Sequence, residues 1–116
     1  MDLYSCKGLN DNSLRYLPST LTYLKISCID EIKGEFIEYL PSSITHLKFY
    51  SLKSLENEGL RKLSSTLQDL ELYGNPNLTN ECLKFLPTRL ISLQIDRQEN
   101  IKNKELEEWK KRNKIY

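Results

Sequence analysis

The chain has 116 residues, 39% hydrophobic and 28% charged, the composition of one globular domain with a single modest core. Lys and Arg number 17 against 16 Asp and Glu, so no net field recruits nucleic acid or anionic lipid. No apolar run approaches the roughly 18 residues of a membrane span, which argues against a membrane partner.

The opening stretch MDLYSCKGLNDN lacks the basic start and apolar centre of a secretion signal, and a cytoplasmic, intracellular location is expected. Cys6, Cys28 and Cys82 are odd in number and widely spaced, against a disulfide framework or a zinc site. They are expected to be reduced and buried. No metal and no other cofactor is implied.

From Leu14 onward the chain repeats. LRYLPSTLTYL returns as IEYLPSSITHL from Ile37, LRKLSSTLQDL from Leu60 and LKFLPTRLISL from Leu83, with Leu17, Leu40, Leu63 and Leu86 each 23 residues apart and Trp109 next. The columns around these anchors stay apolar: Leu21, Ile44, Leu67 and Leu90; Leu24, Leu47, Leu70 and Leu93; Leu9, Ile32, Leu55, Leu78 and Ile101. The period predicts a single domain over 1–116, with a partial first repeat at 1–20 and repeats at about 21–43, 44–66, 67–89 and 90–112.

Each unit mixes two periods. Tyr23 to Ser27 and its equivalents alternate apolar and polar residues, the pattern of a half-buried strand, with Leu3 in the register of Ile26. Leu14 and Leu17, with their equivalents, are spaced for one face of a helix of about two turns. Asp11, Gly34, Asn57, Asn80 and Asn103 are read as N-caps, because a short acceptor satisfies an orphan first-turn amide. Pro18, Pro41 and Pro87 then stop the helix. At the end of the chain a helix at about 103–114 keeps Leu106 and Trp109 in register but replaces the proline stop with Lys110, Lys111 and Arg112, so it reads as a cap. The first repeat has no such cap, and its edge is expected to be open.

The stretch LQDLELYGNPNLTNECLKFL, residues 67–86, matches LxxLxLxxNxxLTxxxLxxL and resembles a leucine-rich repeat of the cysteine-containing subtype found in F-box substrate-recognition subunits. At the Asn or Cys position of that pattern the five units carry Cys6, Ile29, Leu52, Asn75 and Gln98. The resemblance implies an α/β solenoid, a horseshoe with parallel strands on its concave face and short helices on its convex face. It also implies protein recognition without catalysis, and by analogy a ubiquitin-ligase adaptor.

With leucines inward, the alternate strand residues face outward in columns: Tyr23, His46, Asp69 and Ser92; Asp2, Lys25, Lys48, Glu71 and Gln94; Tyr4, Ser27, Tyr50, Tyr73 and Asp96. The tyrosines offer rigid amphipathic contact area of the kind enriched in binding hot spots. Lys25, His46 and Lys48 lie toward one end and Asp69, Glu71 and Asp96 toward the other, a polarity that orients a docking partner. The expected partner surface is therefore Tyr4, Tyr23, Lys25, His46, Lys48, Tyr50, Asp69, Glu71, Tyr73, Gln94 and Asp96. A protein partner fits it, and no small-molecule substrate is expected. The alternative is a structural or self-associating subunit joined through the open N-terminal edge. His46, the single histidine, could join Ser27 or Cys28 in a nucleophile arrangement, but no orienting group or oxyanion donor is evident from the sequence, and no catalytic residue is expected. The basic stretch Lys110 to Lys114, with Tyr116 beside it, reads as a solvated helix end rather than a nucleic-acid platform.

Overall fold

A computed structural model describes residues 1–115. Its alternating strand segments form β1 (Asp2–Tyr4), β2 (Tyr23–Ser27), β3 (His46–Tyr50), β4 (Asp69–Tyr73) and β5 (Ser92–Asp96). They make one parallel sheet in chain order, and every paired residue lies 23 positions from its partner: Leu3 with Ile26, Ile26 with Phe49, Phe49 with Leu72, Leu72 with Ile95. Between the strands lie four short 3-10 helices, η1 (Asn12–Tyr16), η2 (Glu35–Tyr39), η3 (Asn57–Lys62) and η4 (Asn80–Phe85), and after β5 comes one α-helix, α1 (Asn103–Asn113). The helices contact one another in the same order as the strands. Among the described residues, no helix is long and apolar enough to cross a membrane.

The core lies between these two layers. Leu24, Ile26, Phe49, Leu52, Leu55, Leu60, Leu72 and Leu78 are completely buried, and the Phe36 ring of η2 meets the edge of Phe49 from β3 at 6.0 Å. At the far end α1 buries Leu106 and Trp109.

The helix starts need a correction. Asn57, Asn80 and Asn103 are the first residues of their helices, not N-caps, and neither Asp11 nor Gly34 makes a side-chain cap bond within its own helix. Three of these side chains reach instead into the next unit. The Asp11 carboxylate accepts from the amides of Lys33, Gly34 and Glu35; Asn57 Oδ1 accepts from Thr79 N at 3.0 Å; Asn80 Oδ1 accepts from Lys102 N at 2.8 Å. A side-chain acceptor thus satisfies amides at the start of the following helix. Gly34 serves a different need. A Cβ there would lie 2.7 Å from the Gly59 Cα, so two neighbouring units meet backbone to backbone.

A second inter-unit feature has little sequence signature. Ser5, Cys28, Ser51, Gly74 and Arg97, one per unit directly after each strand, all take positive φ between 46° and 65°. In this left-handed turn the amides of Ser5, Cys28, Ser51 and Gly74 each donate to the last carbonyl of the next strand, at 2.8–3.2 Å. One extra ladder bond offsets a conformation that costs a non-glycine residue roughly 1 kcal/mol.

The cysteine expectation also changes. Only Cys82 is buried, while Cys6 is half-buried and Cys28 exposed. Cys28 occupies a left-handed turn position, from which its side chain cannot enter the core columns as Ile26 does.

The helix stops work with or without proline. Leu17, Leu40 and Leu86 precede prolines and are extended at ψ 150°, 138° and 142°, yet Leu63, before Ser64, is extended as well at ψ 135°. The Ser64 amide donates to no described residue, and Ser64 O accepts from Leu67 N as Pro41 O accepts from Ile44 N. Ser64→Pro is therefore expected to raise unfolding stability by about 0.5–1 kcal/mol, through the unfolded chain's lost freedom. Urea denaturation of the two proteins checks this.

Candidate functional site

The strand register brings the outward columns together across the sheet's open face. Tyr50 and Tyr73, partners in β3 and β4, stack with ring centroids 5.1 Å apart and planes 20° from parallel. Lys25 Nζ sits 4.5 Å over the Tyr50 ring, and Arg97, in the turn after β5, lies 5.9 Å from the Tyr73 centroid. The result is a row of cation, ring, ring and cation across four units. Such contacts contribute about 0.5–1 kcal/mol each where exposed. Lys48 approaches Tyr23 in the same way at 5.7 Å. Tyr4 on the edge strand is 70% exposed. Beside this row the strands β3 to β5 enclose a shallow depression of about 350 Å³ running from His46 and Asp69 to Gln94.

One of the outward residues behaves differently from the sequence reading. Ser27 is 5% exposed, because it stands in register between Tyr4 and Tyr50 and is too short to reach past them. The two charge zones meet along one line, with Lys25, His46 and Lys48 on β2 and β3 and Asp69, Glu71 and Asp96 on β4 and β5. Lys48 pairs with Glu71 at 3.4 Å, His46 Nε2 with Asp69 Oδ2 at 2.7 Å, and the Tyr50 hydroxyl donates to Glu71 Oε1. At that line the charges of Lys48 and Glu71 offset one another across the ladder. The exposed carboxylate of Asp96 and amide of Gln94 stay at the β5 side.

His46 is held on both sides, contrary to the sequence reading that found nothing to orient it. Nδ1 is 2.8 Å from Thr45 Oγ1, and Nε2 faces Asp69. Hydroxyl, imidazole and carboxylate thus lie in a row. The amides of Thr45 and His46 both donate to Thr22 O, so neither is aimed at a developing oxyanion. Tyr23 is the β2 partner of His46, while Ser27 pairs with Tyr50 at the far end of the strand and Cys28 follows it, so neither joins His46. Among the described residues, no three His, Cys, Asp or Glu side chains gather as a metal-binding group.

Arg97 and Thr45 are the members of this face that sequence reasoning missed. Arg97 lies one position beyond its strand, where only the turn shared by all five units reveals its direction. Thr45 lies one position before its strand, in a column that runs Thr22, Thr45, Gln68 and Ile91. The tail residue Tyr116 lies outside the described residues. Lys110 and Lys111, in the last turn of α1, and Lys114 at its C-cap stand where the helix dipole favours cations.

A larger depression of about 450 Å³ lies elsewhere, between the loops after β1 and β2, around Cys6 and Cys28. It carries neither the tyrosines nor the ion pairs. Comparison of the chain with protein-family models, with curated proteins and with solved structures returned no match.

Burial, with the hydrogen bond to Glu71 second, pushes the Tyr50 phenol from its ordinary 10.0 up to about 12. An acid whose pKa rises on folding adds stability that is complete below the unfolded value and is lost as pH climbs through the folded one. The Tyr50 contribution is thus whole below pH 10 and disappears toward pH 12. Ultraviolet absorbance titration is expected to show a late phenolate step near pH 12 that Tyr50→Phe removes.

Proposed function

We propose that the chain is a leucine-rich-repeat solenoid and that it acts in the cytoplasm as a non-catalytic module for protein recognition. The open sheet face serves as its concave binding surface. The stacked Tyr50 and Tyr73 rings carry this reading. Nothing in the core requires large aromatics there, since the inward columns are filled by leucine, isoleucine and phenylalanine. Rings already stacked and flanked by Lys25 and Arg97 lose little freedom when a partner covers them, which is how preordered tyrosines become hot spots.

The charge pairs refine the partner. With Lys48 and Glu71 compensated by each other and Asp69 engaged by the His46 ring, the centre of the face favours a segment that is apolar or aromatic and hydrogen-bonding rather than strongly charged. A like-charged intruder would have to break an existing pair. The non-catalytic reading is supported by the amides of Thr45 and His46, which both donate to Thr22 O and so offer no oxyanion donor beside the Thr45 hydroxyl, and by Cys82, whose thiol burial pushes up to about 12 and so keeps protonated at neutral pH.

Immobilised chain is expected to capture a protein from an extract of its source cell, identified by mass spectrometry. Tyr50→Ala combined with Tyr73→Ala should weaken that capture at least about tenfold, the equivalent of one hot-spot residue. Undiminished capture by a variant with unchanged circular dichroism would move the site off this face.

A further inference from the structure

Two neighbouring units do not close completely against each other. Between the end of η2 and the end of η3 lies a cavity of about 120 Å³, with walls of Ile37, Leu40, Ile44, Leu47, Leu63 and Leu67. Ile37, Ile44, Leu47 and Leu67 are only 2–3% exposed, so the space lies within the packing rather than on it. Leu40 and Leu63 are half-buried and flank the way in, whereas Leu86, their equivalent in the next unit, is 4% exposed. At this entrance Glu38 Oε2 and Lys62 Nζ face each other at 4.0 Å, and Ser42 and Ser64 complete the rim. Ser64 stands where Pro18, Pro41 and Pro87 stand in other units, and its shorter side chain leaves room there. None of the stacked tyrosines of the open face borders the cavity.

The interior offers water little. The turns that frame it close on themselves, with Ile44 N donating to Pro41 O and Leu67 N to Ser64 O. Among the described residues, no buried side-chain nitrogen or oxygen is left to bind a water molecule for want of another partner. An apolar cavity of about 150 Å³ walled by aliphatic and aromatic side chains stays dry and takes up benzene. The walls here are of the same kind, and the space is slightly smaller.

We propose that this cavity is a binding site for a small uncharged apolar molecule, no larger than a single six-membered ring. The volume sets the size, and the six aliphatic walls set the chemistry. A charged molecule would be stripped of water with nothing inside to pair it, since Glu38 and Lys62 at the entrance already face each other. An apolar molecule instead restores the dispersion contacts that side chains bordering empty space forgo. Ile37, Leu40 and Ile44 belong to one unit and Leu63 and Leu67 to the next, so an occupant touches both and stabilises their junction.

Methyl-resolved NMR of the full chain, titrated with benzene, tests this. Saturable shifts are expected at the methyl groups of Ile37, Ile44, Leu47 and Leu67, while those of Ile91, exposed elsewhere on the surface, stay in place. Leu63→Phe sets a ring in the entrance and should weaken benzene binding at least about tenfold. Leu40→Phe, on the facing wall, repeats the comparison from the other unit. In wild type alone, the absence of saturable shifts at the cavity methyls, or equal shifts at Ile91, would overturn the proposal. So would benzene binding that is indifferent to both substitutions in variants with unchanged circular dichroism.

Discussion

Every feature of this molecule depends on one constraint, the registration of each strand on the next at a fixed offset of 23 residues. Burying a leucine or isoleucine contributes roughly 1.5–3 kcal/mol, while ordering each residue of backbone costs roughly 1–2 kcal/mol. A unit with a handful of apolar residues cannot offset its own ordering, so its leucines must be shared with neighbours on both sides. Sharing works only in one register. A slip of one residue would turn Leu24 and Ile26 outward and bring Tyr23 and Lys25 into the core, a loss repeated on every strand. The open face is thus fixed by what lies beneath it.

Polar groups tighten the same register at three depths. On the helix side Asp11, Asn57 and Asn80 bond the amides of the following unit. At the strand ends the left-handed residues add a rung to the ladder. In the interior Asn75 accepts from Leu52 N, donates to Phe49 O, and exchanges hydrogen bonds with Gln98, all while fully buried. The column that holds Asn75 and Gln98 is apolar in the middle units, where Ile29 and Leu52 fill it. One structural position therefore changes from packing to hydrogen bonding along the sheet. Among the described residues, no buried side-chain nitrogen or oxygen is left without a partner.

The strands and the outward columns were legible because a period-2 pattern repeated five times leaves only one consistent assignment of faces. Three things were not. The Asp11, Asn57 and Asn80 column has the residue types of a helix cap, but sequence spacing cannot distinguish an amide in the same turn from one 22 residues on. The left-handed turn is marked only at Gly74, since serine, cysteine and arginine fill the other four positions at some conformational cost. The separation of charge along the chain was real, yet residues 23 apart are neighbours across the sheet, so Lys48 meets Glu71 and His46 meets Asp69. The polarity is thus offset by short-range pairs where β3 meets β4, while Lys25 and Asp96 stay apart on β2 and β5.

The buried register sets Tyr50 and Tyr73 face to face before any partner arrives. Nuclear Overhauser spectroscopy of the free chain measures this most directly, with ring assignments confirmed by Tyr50→Phe. Centroids at 5.1 Å predict strong cross-peaks between the ring protons of Tyr50 and Tyr73. They would be accompanied by contacts from the Lys25 side chain to the Tyr50 ring. Absence of the ring-to-ring cross-peaks in the folded chain, or their replacement by contacts one residue out of register, would show that the buried register does not place these rings together.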